Sequence, residues 1–215
     1  MTFRSFGPDE FLFLLTGLQW TVLLTAIALI GGGIAGFLIA LARVSTIKWL
    51  RVVAGTYIQI IQGIPVLMIL FLSYYGLSLA GFDLHPLVAA GASMSIYASG
   101  YLAEIWRGCI QSVPKQQWEA SESLALTRVQ QYRYVILPQA VRISLPSTVG
   151  FAVQVVKNTS IASIIGFVEL ARAGTLINNA TFQPFRVFVV VAALYFAVCY
   201  PLSLLSRWLE RRLNV

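Results

Sequence analysis

Apolar residues fill five stretches of this chain, and polar residues mark the joins between them. Phe11 to Ala42 carries no charged residue. It exceeds the ~20 residues that an α-helix needs to cross the hydrocarbon of a bilayer, so it predicts a first transmembrane helix. Val52 to Leu79 predicts a second, and about Leu87 to Ala103 a third. Ile143 to Val156 is too short to span alone at about 1.5 Å per residue. The fourth helix must therefore also carry Lys157 to Ser160 and Ile161 to Ile165. Val187 to about Leu205 gives the fifth. Phe167 to Phe182 mixes Glu169, Arg172, Gly174, Asn178 and Asn179 with apolar residues and predicts a short interfacial helix followed by a loop to Pro184. The fold class expected is an all-α integral membrane protein of about five transmembrane helices, one domain over residues 1–215.

Ser112 to Pro146 breaks the pattern with the longest polar segment of the chain, and its residues predict two short helices at an angle. Pro114 suits the first turn of a helix, and good helix formers continue from Lys115 to Leu126. Thr127 with Gln130 three residues later forms a capping-box pattern. Val129, Tyr132 and Ile136 follow at helical spacing, and Pro138 is expected to close the second helix. Between the two helices, either Ala125 takes a left-handed backbone or the first helix runs to Leu126 and Thr127 makes the break. The sequence favours the second, because a left-handed backbone costs a residue other than glycine roughly 1 kcal/mol.

Within the first span, Gly31 to Gly36 matches G-x-G-x-x-G, but a dinucleotide fingerprint needs a strand before it and a helix starting at it. Gly32 and Gly36 read instead as a small face for close helix approach. The second span holds Gln59, Gln62, Gly63 and Pro65 at its middle, which weakens a helix and suits a place where neighbours or water satisfy freed backbone groups. A kink facing a pathway and ordinary helix packing both fit. Glu104 and Arg107 are i,i+3 neighbours and read as a charge pair at the membrane surface. His85 in a short loop reads as a solvated residue.

Composition agrees with a membrane protein: 58% of residues are hydrophobic and 11% charged, with a net charge of +7. The basic residues define an orientation. Arg43, Lys48, Arg51, Arg107, Lys115, Arg128, Arg133, Arg142, Arg207, Arg211 and Arg212 fall on one face, against Arg4, Arg172 and Arg186 on the other. This places the 112–146 loop and the C-terminus in the cytoplasm and the N-terminus outside. The charge thus follows from topology, and no aromatic-rich basic module indicates nucleic acid. Cys109 and Cys199 lack metal-ligand or redox spacing and read as reduced packing residues. No cleavable leader is evident, so the first span is expected to be retained.

Glu119-Ala120-Ser121, Ala125 and Val135-Ile136-Leu137-Pro138 resemble the E-A-A-x-x-x-G-x9-I-x-L-P loop of ATP-binding-cassette importer permeases, with Ser121, Ala125 and Val135 departing from it. Glu104 to Gly108, Ile110 to Lys115 and Lys157 to Ser160 are similar to the polar amino acid uptake branch. The resemblance covers nearly all of the chain after about Leu14. It implies a multi-pass permease of the bacterial cytoplasmic (inner) membrane, in contact with membrane lipid and probing an ATPase through the loop at about 112–142. Gln117, Glu119, Ala120, Ser121, Ala125, Leu137 and Pro138 are its implied coupling residues. Two permease chains, identical or related, would each insert residues 116–138 into an ATPase subunit, while an extracytoplasmic binding protein delivers an amino acid. ATP and Mg belong to the partner ATPase, since this chain has no G-x-x-x-x-G-K-[ST] and is not expected to be an enzyme.

The alternatives are a secondary transporter or channel subunit and an intramembrane enzyme. A coupled transporter usually needs intramembrane carboxylates, and the sequence shows none between the span ends. An enzyme needs H-E-x-x-H, G-x-S-x-G or paired carboxylates, which are also missing. Gln62, Gly63 and Pro65 of the second span and Lys157, Asn158, Thr159 and Ser160 of the fourth lie some ~15 to 25 Å from the cytoplasmic ends of their helices. They are the expected substrate path. Lys157 either lines that cavity or snorkels to the outer interface, and no metal site is expected.

Overall fold

The computed structural model describes residues 5–213, and its elements are all helical among those residues. α1 (Pro8–Val44) is followed by α2 (Lys48–Gly63), α3 (Val66–Leu79) and α4 (Pro86–Ser112). A two-helix connection begins with α5 (Lys115–Ser123) and runs into α6 (Arg128–Ile165). α7 (Leu170–Thr181) and α8 (Pro184–Leu213) complete the chain. The short helix expected within 167–182 is therefore present as α7.

Three of these helices, α1, α6 and α8, are long and apolar enough to cross a membrane, and the α2–α3 pair makes a fourth if it counts as one bent span. α4 does not qualify on apolarity, which narrows the expected five. The physical reason lies in its position: α4 packs against α1, α2, α3 and α6, and its buried face includes Ser93, Ser99, Gly91 and Gly100. A helix wrapped by protein need not be apolar all round.

α1 and α4 form the centre of the bundle. The buried face of α1 runs through Thr21, Thr25, Ala28, Gly32, Gly36 and Ala40 at intervals of three or four residues. A Cβ added at Gly32 would stand 2.5 Å from the Ala98 side chain, and one at Gly36 would stand 2.9 Å from the Ser99 carbonyl. The two backbones can approach only because those positions carry no side chain, as the small-residue spacing predicts. Ala28 and Ala98 join Ile61, Ile69, Met94, Tyr97, Leu102, Phe151 and Val155 in the largest core cluster.

The backbone departs from regular helix at three places within the apolar stretches. α2 and α3 meet at 101° across Gly63–Pro65. Pro65 takes the N-terminal cap position of α3 and Ile64 is extended. Leu72–Gly76 is a wide π turn inside α3, and Thr159–Ile165 is a tight 3₁₀ turn at the end of α6.

Pro138 does not close a helix. α6 continues through it because Gln131–Ile136 is a second π turn, in which the Leu137 N–H donates to the Tyr132 carbonyl five residues back. That wider turn lets the chain carry a residue without an N–H near the start of a regular segment, where an intrahelical donor is least missed.

Candidate functional site

The polar connection between α4 and α6 is a braced elbow. Trp118 of α5 meets Tyr132 of α6 edge to face at 5.3 Å. Both pack on the buried Ile110, Val113, Ile136 and Ala140. Gln139 Nε2 donates to Gln117 Oε1 at 3.3 Å, tying the start of α6 back to α5. The Thr127–Gln130 capping box is present: the Thr127 N–H donates to Gln130 Oε1 at 2.9 Å and the Gln130 N–H to Thr127 Oγ1 at 3.4 Å.

The break between the two helices falls at Ala125, not at Thr127. α5 ends at Ser123, and Ala125 adopts φ 55°. Its N–H donates to the Glu122 carbonyl, and the Leu126 N–H donates to the Ser121 carbonyl. This is the Schellman arrangement that ends many helices, with the left-handed residue in the position usually held by glycine. α3 ends in the same way at Gly81, with φ 89° and bonds from Gly81 to Ser78 and from Phe82 to Leu77. The elbow geometry is therefore kept although the residue that eases it is absent, because the Trp118–Tyr132 and Gln117–Gln139 contacts require the sharp turn.

Among the residues of the loop pattern, Gln117, Glu119, Ala120, Ala125 and Pro138 are exposed, Leu137 is half-buried and Ser121 is buried. Glu119 pairs with Lys115 at 3.0 Å on the surface of α5. Ser121 Oγ donates to the Trp118 carbonyl at 2.7 Å, so a small hydroxyl in place of alanine finds a local acceptor. Leu124, Val129 and Tyr134 stand 75%, 76% and 65% exposed around the same elbow.

The residues expected along a substrate path separate into two groups. Gln62, Gly63 and Pro65 are exposed at the α2–α3 break. Lys157 is exposed and opens on a cleft of about 280 Å³ shared with Tyr195, Phe196, Cys199, Tyr200 and Ser203 of α8. Asn158 lies against the Tyr97 phenol. Thr159 is sealed inside with its hydroxyl on the Val156 carbonyl at 2.7 Å, and Ser160 Oγ donates to the Lys157 carbonyl at 2.8 Å. Those two hydroxyls thus cap the passage from α to 3₁₀ helix. No hydrogen bond or ion pair joins the two groups among the described residues. What they share is one core cluster: Ile61, Ile64 and Val66 pack on it from the break, and Phe151 and Val155 from α6.

Glu104 and Arg107 form the expected ion pair, with Arg107 Nε 2.8 Å from Glu104 Oε2. His85 is exposed and caps α4 by accepting the Leu87 N–H at 3.2 Å. Cys109 and Cys199 are free thiols, and no cluster of metal-ligating side chains occurs among the described residues.

One carboxylate escaped the sequence reading. Glu169, fully buried, caps α7 by accepting N–H groups from Ala171 and Arg172 at 2.8 Å each. Its Oε2 also accepts the Tyr195 hydroxyl of α8 at 2.8 Å and the Thr21 hydroxyl of α1 at 3.5 Å. Thr21 Oγ1 in turn accepts the Leu170 N–H at 3.2 Å. Thr21 lies 13 residues beyond the start of α1, about 20 Å along its axis. The carboxylate is therefore enclosed between α1, α7 and α8, with donors at every contact and no cation among the described residues. The sequence gives little signal for it, because glutamate is not among the favoured capping residues.

Residues 32–215 match the sequence model of the family described as binding-protein-dependent transport system inner membrane component. A probable amino-acid ABC transporter permease protein of Bacillus subtilis is 33% identical over 204 residues, covering 95% of this chain and 90% of the relative. The glutamine transport system permease protein of Escherichia coli is 34% identical over 204 residues, covering 94% and 93%. The crystal structure of an amino acid ABC transporter with histidines superposes with a TM-score of 0.90 at 36% identity, over 99% of this chain and 100% of that one. A methionine ABC transporter in an inward facing conformation shares the fold, with a TM-score of 0.79 at 18% identity. The chain belongs to the family of binding-protein-dependent transport system inner membrane components.

Proposed function

We propose that this chain is the membrane-spanning permease subunit of an ATP-driven importer for amino acids. The similarity of nearly its whole length to amino-acid permeases supports this reading. So does the elbow at 115–139, which is held to the helices behind it as a unit. A rigid, exposed elbow with an apolar tip is what a chain needs to pass force from a separate ATPase into its own helices. Two copies, or this chain and a related one, sit side by side as a single transmembrane domain each, in a bacterial inner membrane. Each inserts its elbow into an ATPase subunit that binds ATP and Mg, and an external binding protein delivers substrate. Differential binding of ATP to the two arrangements of the assembly then shifts the helices between inward and outward openings.

The bundle crosses the membrane five times, with the α2–α3 pair and α4 as the second and third spans. The elbow and the C-terminus face the cytoplasm. This orientation rests on the excess of Lys and Arg at those ends. Substrate passes near Gln62, Gly63 and Pro65 on one side of the shared core and near Lys157 and Asn158 on the other. Gln117, Glu119, Ala120, Ser121, Ala125, Leu137 and Pro138 shape the coupling surface.

Labelling single cysteines in intact cells with an impermeant thiol reagent tests the assignment. Gly81→Cys, in the exposed turn between α3 and α4, is expected to react from outside, and Gln117→Cys only after permeabilisation. Copurification from mild detergent is expected to bring an ATPase with the chain. The reverse labelling, with no ATPase recovered, removes both orientation and coupling role.

A further inference from the structure

The end of α1 and the root of α6 do not close on each other. Between them lies a cleft of about 700 Å³, walled by Phe37, Leu41 and Val44 on one side and by Arg128, Arg133 and Leu137 on the other. Phe37 and Leu137 are also walls of a second cavity, of about 250 Å³, which continues between Trp106 of α4 and Ala140, Leu145 and Thr148 of α6. The two spaces therefore adjoin at Phe37 and Leu137, and their far ends are unlike.

The inner end is almost wholly apolar, with the Thr148 hydroxyl proton as its one free donor. Its indole N–H is already satisfied by Thr148 Oγ1 at 3.0 Å, and Ser144 Oγ donates to the Val141 carbonyl at 2.9 Å. The remaining walls are hydrocarbon and the Phe37 ring, set edge to face on Trp106 at 6.2 Å. The outer end is cationic. No carboxylate lines it. The Arg133 guanidinium has no acidic partner among the described residues and lies 5.8 Å from the Tyr134 ring. Arg128 touches Glu122 at 3.4 Å, but both side chains are more than half exposed, so the pair is weak and exchangeable. Ser45 lies on the same wall; its oxygen takes the Ile47 N–H at 3.1 Å, which leaves its hydroxyl proton to donate.

We propose that this groove binds an anionic glycerophospholipid of the surrounding bilayer, with an acyl chain in the Trp106–Thr148 cavity and the phosphate between Arg133, Arg128 and Ser45. Charge complementarity and the order of the two ends select this occupant. A guanidinium meets a phosphate with paired hydrogen bonds, and basic pockets between membrane helices favour anionic headgroups. A free phosphate gains nothing from the apolar walls of the inner cavity, and an amino acid or a peptide segment finds only the Thr148 hydroxyl there. The site lies apart from the Lys157 cleft, but Val129 and Leu137 of the elbow are among its walls; it rests on the membrane reading of this chain, and its test reads lipid retention rather than ATPase docking or transport. The lipid bridges α1 to the root of α6, where the recorded polar contact is the Tyr132 hydroxyl on the Val44 carbonyl at 3.5 Å.

Native mass spectrometry of the chain with its copurifying subunits, supplied with dioleoyl phosphatidylglycerol, dioleoyl phosphatidylcholine or inorganic phosphate, tests the proposal. Phosphatidylglycerol is expected to remain bound where phosphatidylcholine leaves. Arg133→Gln is expected to lower its retention about fivefold, the weight of one basic side chain near a lipid surface, and Arg133→Lys to restore part of it. Val141→Trp, at an exposed wall of the inner cavity, is expected to lower retention of the lipid without altering the melting temperature. A phosphatidylglycerol carrying a photoreactive acyl chain is expected to mark peptides of residues 34–41 and 140–148. Equal retention of both lipids, no effect of Arg133→Gln, or displacement by inorganic phosphate would each overturn it. Labelling of neither peptide, with a copurifying protein shielding the groove instead, would also overturn it.

Discussion

Removing the Glu169 carboxylate should unpin three helices at once, and the structure allows the loss to be estimated. Glu169→Ala takes the acceptor from two N–H groups at the start of α7. Loss of a helix cap costs about 1 to 2 kcal/mol. It also leaves the Tyr195 hydroxyl without its 2.8 Å partner, and a buried donor left unmet costs about 1 to 3 kcal/mol. Part of the sum is offset, because an ion no longer has to be held out of water. The expected net loss is about 2 to 4 kcal/mol, which for a chain of this size corresponds to a fall in melting temperature of roughly 4 to 16 °C. Tyr195→Phe removes one bond to a charged acceptor and should cost about 1.5 to 3 kcal/mol. The two effects should not add. In the Glu169→Ala background only the neutral Thr21 and Thr159 hydroxyls remain beside the phenol, so Tyr195→Phe should cost much less, giving a coupling of at least ~1 kcal/mol. Melting of the four purified variants in the same detergent, followed by tryptophan fluorescence, measures this cycle. Additive losses, or a Glu169→Ala variant that melts with the unmodified chain, would show that the carboxylate does not join the helices.

Ala125→Gly should relieve the left-handed backbone at φ 55°. The gain of about 1 kcal/mol is partly cancelled by the freer unfolded chain, so hydrogen exchange at Ala125 and Leu126 should slow by a small factor or stay level, while Ala125→Val should speed it sharply. Gly32 and Gly33 should respond oppositely to a methyl group. A Cβ at Gly32 collides with Ala98 at 2.5 Å, whereas one at Gly33 meets only Trp106 at 3.7 Å. Gly32→Ala should lose about 1 to 3 kcal/mol, Gly33→Ala should hold or gain up to ~1 kcal/mol, and paired melts decide. Lys157→Met should abolish uptake in vesicles containing the complete assembly while leaving ATP hydrolysis and complex formation in place, and Lys157→Arg should not restore it fully. Normal uptake by Lys157→Met would return Lys157 to the role of an interfacial anchor.

The parts of the fold legible in sequence are those set by neighbours along the chain. Long apolar runs located the helices. The small-residue spacing of Gly32 and Gly36 identified the face of α1 that meets α4, and Thr127 with Gln130 marked the start of α6 to the residue. The failures share one cause. Ala125 was expected to avoid a left-handed backbone because the cost is local and visible, whereas the benefit comes from contacts of Trp118 with Tyr132 and of Gln117 with Gln139 across the elbow. Pro138 was expected to end a helix because a missing N–H is visible, whereas the π turn before it is not. Glu169 was passed over because its partners Thr21 and Tyr195 are 148 and 26 residues away. Of the candidate site, the sequence supplied the elbow and the weak point at Gly63–Pro65. It did not show that Thr159 is sealed in the interior or that Lys157 faces the aromatic side of α8.

Where the helices depart from regularity also bears on the path of the substrate. Backbone groups freed inside a bilayer must be buried in protein or face a water-filled space, because lipid cannot satisfy them. The tight turn of α6 meets the first condition, because Ala162 and Ile165 lie on a core shared with Leu24 of α1 and Ala89 and Ala90 of α4; Tyr74 of the wide turn packs on the same core, but no residue of Leu72–Gly76 is buried and a Cβ added at Gly76 would meet nothing within 4 Å. The α2–α3 break does not meet it. Ile64 is packed on the core, but Gly63 and Pro65 are exposed, and a Cβ added at Gly63 would meet nothing within 4 Å. Helix packing thus covers the tight turn of α6, and leaves the α2–α3 break and the wide turn of α3 open. An uncovered break with Gln62 beside it suits a water-lined passage or the face of a second permease chain and does not suit lipid. A kink facing a pathway and packing against a second chain both meet that requirement, so Gln62, Gly63 and Pro65 stay in the proposed substrate path although none of them touches Lys157.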